Sequence, residues 1–200
     1  MTTQLHEQRL EAVRAAVRDS RARTVLDLGC GDGDLLLQLV IEPQIEKIIG
    51  IDPSLEALLS LRIRLDTLSG RALAEVDLLH ASMTEAGDRL RGYDCAVLLE
   101  TIEHTEPGRL SILERSVFGT MRPTTVIVTT PNADYNALLG MPPGSFRHPD
   151  HRFEWGRPKF RRWAQGVATR NAYRVAFSDI AGQHPIHGGA SQMSIFTLVM

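Results

Sequence analysis

The chain predicts an α/β fold in which a mostly parallel sheet is covered by helices on both faces. Three observations carry this. Short apolar, β-rich runs alternate with stretches of helical periodicity as far as residue 129. The first run leads through a glycine-rich turn straight into a helix, a geometry that offers backbone N–H groups and a helix N-terminus to a ligand. Acidic residues, Asp52 and Glu100, end the second and fourth runs, on the edge where open parallel sheets bind ligands.

The elements follow in order. Over residues 5–17, Leu10, Val13, Ala16 and Val17 recur at helical spacing among charges, giving an amphipathic lead-in helix whose role reads as packing. Residues 24–28 form the first strand and 35–40 the helix after the glycine turn. The second strand is 47–51, followed by a helix over 55–68, and the third strand is 74–79. Residues 93–99 are a buried fourth strand, 107–119 a helix with Leu110, Leu113 and Val117 on one face, and 125–129 a β-branched fifth strand. From 130 to 155 the rhythm breaks into a loop long enough to suggest function. A helix over 158–168 and strands at 173–178 and 193–199 complete a sheet of seven strands.

A length of 200 residues suits one domain with a core that needs no disulfide or structural metal. The net charge of −2 excludes a protein that coats nucleic acid nonspecifically and leaves room for a local basic patch. Cys30 and Cys95 have neither metal-finger spacing nor a secretory segment nearby, and read as reduced core residues of a cytoplasmic protein. No apolar stretch has the length of a membrane span, and there is no internal repeat.

The turn Asp27-Leu28-Gly29-Cys30-Gly31-Asp32-Gly33-Asp34 separates two ligand classes. A dinucleotide fingerprint would need a small residue where Asp34 stands, and a pyrophosphate would meet Asp27, Asp32 and Asp34. An acid-rich glycine loop suits a cationic ligand instead. The run resembles the first motif of class I, Rossmann-like methyltransferases that use S-adenosylmethionine, whose cofactor carries a sulfonium and an ammonium. The resemblance implies a cofactor site formed by Asp27, Gly29, Gly31 and Gly33. Asp52, at the tip of the second strand, is placed to accept from a ribose diol, or to act as a turn former before Pro53. Ser82 and Met83 follow the third strand where the adenine end would lie, and Met83 could equally be packing.

Glu100-Thr101-Ile102-Glu103-His104 sets two carboxylates and an imidazole where a strand turns into a helix. Such a set can converge on a cation, and Glu beside a core strand needs a partner. On spacing alone the competing reading stands, that Glu103 and His104 are solvated residues opening a helix.

Together with Thr-Thr-Pro-Asn-Ala-Asp-Tyr-Asn (129–136) and Phe-Arg-His-Pro-Asp-His-Arg-Phe-Glu-Trp (146–155), this motif resembles the signature of the Hen family, small-RNA 3′-terminal 2′-O-methyltransferases. The resemblance implies one divalent cation, Mn or Mg, on Glu100, Glu103, His104 and His151, with His148 a competitor for the last place. It implies that the cation takes the 2′- and 3′-hydroxyls of the 3′ end of RNA, and that His104 or His148 can accept the proton. Bacterial members are similar but two-part, working with an RNA repair kinase, phosphatase or ligase. Residues 1–200 would then be a single methyltransferase domain, excised from the C-terminal part of a longer protein.

Between 147 and 162 six basic residues, Arg147, Arg152, Arg157, Lys159, Arg161 and Arg162, are interleaved with Phe153 and Trp155. They offer phosphate contacts and base stacking, or a solvated helix face over two core aromatics. Asn132 and Tyr135 meet the terminal nucleotide or fix the loop, and His184 and His187 carry no assigned role. Two other functional classes remain open on sequence: a methyltransferase of a small diol, and an RNA-end-binding module without catalysis.

Overall fold

The computed structural model describes residues 4–68, 70, 74–85 and 87–199. Helix α1 (Gln4–Asp19) precedes strand β1 (Thr24–Leu28), short helix α2 (Leu36–Leu39), β2 (Lys47–Asp52), α3 (Leu55–Thr67) and β3 (Glu75–His80). Strand β4 (Cys95–Leu98), helix α4 (Leu110–Glu114), β5 (Thr125–Pro131), α5 (Arg157–Asn171), β6 (Tyr173–Ile180) and β7 (Ser191–Leu198) follow. The seven strands lie in the order β3-β2-β1-β4-β5-β7-β6, with β7 antiparallel to both its neighbours and the other pairs parallel.

Strand periodicity divides the core. Leu26, Leu28, Ala96, Leu98, Val126 and Val128 face α4 and α5, where Phe118, Phe160 and Phe196 are fully buried. Val25, Cys95, Val97 and Ile127 face the other side, against Val13 and Val17 of α1, Leu36 of α2 and Leu61 of α3. Adjacent residues thus enter opposite layers, as the two-residue period of a strand requires. Chain order reverses between β1 and β4, so the crevice at their carboxyl ends is the natural binding edge.

The departures from expectation have local causes. The helix expected over 107–119 is instead a 3₁₀ turn at Pro107–Arg109, α4, and then wide π-helical turns over Arg115–Met121. The Ser116 hydroxyl donates to the Met83 carbonyl at 2.7 Å, and left-handed Arg122 closes the helix by donating to the Val117 carbonyl. Strand β5 runs on to Pro131 because its antiparallel pairing with β7 continues to Ser191. The loop after it is ordered by Asn132, which caps the 3₁₀ segment Ala133–Leu139 by accepting from the Asp134 N–H and bridges to Trp155.

Candidate active site

The glycine turn is fixed by its neighbours. The Gly29 and Cys30 N–H groups donate to the Ile51 carbonyl at 2.7 and 3.1 Å, and the Gly31 N–H donates to Asp52 Oδ2 at 2.8 Å. Gly29 has φ +81°, and a Cβ there would stand 2.6 Å from the Thr101 methyl. Glycine is required on both counts. Asp52 Oδ1 accepts from the Ser54 N–H at 2.8 Å, so this carboxylate ties the ends of β1 and β2 together. Gly31 and Gly33 are not among the residues lining the described cavities: Gly33 makes room for Leu61 of α3, which a Cβ would meet at 2.1 Å.

Two adjoining cavities open here. The larger, about 490 Å³, is lined by Gly29, Asp52, Ser82 and Met83 on one side and by Glu100, Thr101 and His104 on the other. The smaller, about 150 Å³, lies among His6, Arg9, Asp27, Gly29 and Glu100. Helix α1 therefore does more than pack: Arg9 donates to the Ser191 hydroxyl at 3.0 Å and stands 3.4 Å from Glu100 Oε2. Charged residues on a surface turn of a helix give no sequence signal for this, because only the packing of α1 shows which turn meets the sheet edge.

The acids of the loop divide. Asp32 and Asp34 pair with Arg64 at 3.1 and 2.8 Å, and Asp34 also meets His6 at 3.1 Å. Burial raises the Asp34 pKa, but the Arg64 and His6 hydrogen bonds outweigh it and the net direction is down. Asp27 is different. It is 2% exposed, its Oδ2 is without a partner, and burial followed by the nearby charge of Asp52 pushes its pKa up to about 7. The cationic-ligand argument thus rests on Asp27 rather than on three acids.

At the end of β4, Glu100 adopts φ +49°, a left-handed conformation that a side chain of this kind rarely takes. Its N–H donates to the Thr129 hydroxyl at 3.0 Å and its Oε2 accepts from Ser191 at 3.2 Å, while Oε1 is buried without a partner. The chain then makes a 3₁₀ turn, Ile102–His104. Glu103 is completely buried; Thr130 donates to its Oε2 at 3.0 Å and its Oε1 is orphaned. Burial, then the charge of Glu100, holds the Glu103 carboxyl well above the usual carboxylate range.

Three imidazoles meet this turn. Nitrogens of His104, His148 and His151 all lie within 4.8 Å of one another. His151 Nδ1 is 2.6 Å from Glu154 Oε1, which leaves Nε2 for a ligand. Burial, then His151 and His148, depresses the His104 pKa, so this ring is neutral at pH 7. Glu100 and Glu103 are outside the three-histidine group as they stand, their outer oxygens being turned to Ser191 and Thr130. The residues nevertheless fit a divalent cation. Two buried carboxylate oxygens lack any donor, and an imidazole with its second nitrogen on a carboxylate, as at His151, is the usual arrangement of a metal-binding histidine.

Several residues expected at an RNA contact serve the fold. Phe153 and Trp155 are 5% and 6% exposed and stack on each other at 4.1 Å, so they are core and not platforms for a base. Asn132 is fully buried and donates to the His187 and Gly189 carbonyls, fixing the loop. Arg147 donates to Asn136 and to the Asn132 and Ala190 carbonyls, and Arg157 pairs with Asp134 and Asp179. The exposed basic residues are Arg152, which lines the larger cavity and pairs with Glu106 at 3.3 Å, and Lys159, Arg161 and Arg162 on α5. His184 and His187 pack ring to ring at 4.8 Å within their own loop.

Sheet order, glycine turn and acid-tipped β2 define a methyltransferase domain, and a family model described as a methyltransferase domain matches residues 2–181. The chain is 37% identical to a mouse (Mus musculus) small RNA 2′-O-methyltransferase over 203 residues, covering 96% of this chain and 51% of that protein. Two solved structures are also similar. One is the methyltransferase domain of a bacterial protein named CtHen1, with TM-score 0.86, 37% identity, and 97% and 100% of the two chains covered. The other is the small RNA methyltransferase HEN1, with TM-score 0.90, 35% identity, and 97% and 26% covered. The chain belongs to the Hen1 family of methyltransferase domains. It spans about half the length of the mouse and rat relatives. Among the described residues, no helix is long and apolar enough to cross a membrane.

Proposed function

We propose that this domain transfers a methyl group from S-adenosylmethionine to the 2′-oxygen of the 3′-terminal nucleotide of RNA, with a divalent cation at the Glu/His cluster. The observation that carries this reading is the shared cavity, with Gly29, Asp52, Ser82 and Met83 lining one side and Glu100, Thr101 and His104 the other. A cofactor on the first set and a ribose on the second would be neighbours.

The chain's own residues divide the work. Asp52 accepts from the cofactor ribose, Gly29 allows close approach of the backbone, and Asp27 faces the cofactor's positive end in the smaller cavity. Glu100, Glu103, His104 and His151 are the cation's ligands, and two imidazoles among them favour Mn over Mg. A cation so held supplies Lewis acidity, lowering the pKa of a bound hydroxyl and fixing a vicinal diol. Thr130 and Glu154 orient Glu103 and His151. The proton of the 2′-hydroxyl passes to His148, the imidazole of the cluster outside the ligand set. Arg152 and the basic face of α5 hold the phosphates leading to the RNA end.

The biological setting of this proposal is the marking of RNA ends during repair, alongside an RNA repair kinase, phosphatase or ligase. The test is methyl transfer to a short RNA with and without chelator, comparing a 2′,3′-diol end with a 3′-deoxy end. Activity that requires both cation and diol is expected. Equal methylation of the 3′-deoxy end would reject chelation of the diol, and no RNA methylation alongside activity on a free small diol would reject the RNA substrate.

A further inference from the structure

The four proposed ligands do not exhaust the cluster. His148 brings a third imidazole nitrogen within 4.8 Å of those of His104 and His151, although it lies in the loop three residues before His151. His151 and His148 are each held at Nδ1, His151 by a carboxylate and His148 by a weaker backbone contact. His151 Nδ1 meets Glu154 at 2.6 Å, and His148 Nδ1 accepts from the Asp150 N–H at 3.2 Å and lies 3.8 Å from the Asp150 carboxylate. A ligating histidine almost always gives its second nitrogen to a carboxylate, a carbonyl or water. His148 thus lacks the buried carboxylate that fixes His151.

Two features distinguish His148. Its side chain is 54% exposed, against 8% for His151, so it can swing out without opening the core. It is also surplus to the count: four protein ligands and the two hydroxyls of the proposed substrate would already make six donors. We propose that His148 is an exchangeable ligand, bound to the cation in the RNA-free enzyme and displaced when the 3′-terminal ribose arrives. The inference rests on the cation site of the previous section and adds a residue to it. Such a ligand raises affinity for nitrogen-preferring ions before substrate binds, keeps the Lewis-acid site from being left to water, and surrenders its place only to a chelating diol.

The experiment uses the full chain loaded with Co²⁺ for affinity by visible absorption and with Mn²⁺ for counting bound nitrogens by electron spin echo. Three variants are compared, wild type, His148→Asn and Glu103→Gln, each checked for fold by circular dichroism. Wild type is expected to show three nitrogens without RNA and two after addition of a short RNA with a 2′,3′-diol end. His148→Asn should show two in both states and bind Co²⁺ at least about tenfold more weakly without RNA. Equal affinity and equal nitrogen count in wild type and His148→Asn would overturn the proposal, and three nitrogens persisting in the RNA complex would overturn the exchange. Glu103→Gln separates the two levels of argument. If it too leaves Co²⁺ affinity unchanged, or if wild type binds no Co²⁺, the cation site itself fails, whereas loss of affinity in Glu103→Gln alone removes only His148.

Discussion

Replacing Asp27 by Asn should stabilise the ligand-free domain while removing its grip on the cofactor. Asp27 is 2% exposed, carries an unpartnered Oδ2 and has a pKa raised from 3.8 to about 7 by burial and then by Asp52. At about 1.4 kcal/mol for each pH unit, that rise corresponds to at most about 4 kcal/mol of penalty on the charged form. The folded chain holds this proton more tightly than the unfolded chain does. The group's contribution to stability is therefore complete below about pH 4, drains away as the pH climbs to about 7, and stays lost above it. Asn carries no such dependence, so the stability difference between variant and wild type should open from nothing near pH 4 to several kcal/mol at pH 8. Urea unfolding at half-unit pH steps, ligand-free, reads this difference directly, with the titration of every other group common to both proteins. Saturating S-adenosylmethionine should close the gap by stabilising wild type alone. Parallel pH profiles for the two proteins would refute the argument, because a carboxylate solvated or paired in the fold would have nothing to gain from becoming an amide.

Other perturbations separate cofactor, fold and RNA. Asp52→Ala should weaken S-adenosylmethionine binding by calorimetry, since both its oxygens also hold the loop through Gly31 and Ser54; an unchanged affinity would end its ribose role. Gly29→Ala combines a left-handed φ with a contact at 2.6 Å to Thr101, whereas Gly92→Ala carries φ +89° into open space. The first should cost more than the second, by about 1–3 kcal/mol for the clash, in thermal unfolding. Trp155→Ala should destabilise the domain by about 3–5 kcal/mol, as loss of a core aromatic does, while Arg152→Ala should leave stability alone and weaken RNA binding with a shallower salt dependence. Equal effects of these two on RNA affinity at matched stability would return Trp155 to the RNA surface.

Much of the sheet was legible because its signals are local and repeated. Alternation of buried faces in Val25-Leu26 or Ala96-Val97-Leu98 is written in the residue types, and the strand-turn-helix at Gly29 is a short motif. Element ends were less legible, since they depend on partners distant in sequence. The extension of β5 to Pro131 needs Ser191, and the unwinding at Arg115–Met121 goes with the hydroxyl of Ser116 reaching Met83. The aromatics of the 146–155 segment show the same limit. Nothing in the order Phe153-Glu154-Trp155 says which side chains turn inward; the stacking of Phe153 on Trp155 and the burial of Glu154 under His151 and Arg147 decide it.

Charge is where sequence reading and structure differ most usefully. The glycine loop looks uniformly acidic, yet Arg64 pairs with Asp32 and Asp34 and the His6 ring meets Asp34, partners 28 to 32 residues distant that composition cannot assign. What remains after that pairing is more specific than the motif. Among the described residues, three carboxylates keep a buried oxygen with no donor, Asp27, Glu100 and Glu103, and Glu100 lines both cavities. A buried acceptor left unpaired costs about 1–3 kcal/mol, so oxygens of this kind lining a cavity mark where a ligand's positive charge would be welcome. The cavity beside Asp27 suits a sulfonium cofactor and the turn of Glu100 and Glu103, beside three imidazoles, suits a divalent ion. Glu100, strained at φ +49° where β4 ends, lines both cavities together with Gly29, so under the proposed function it would stand between methyl donor and acceptor.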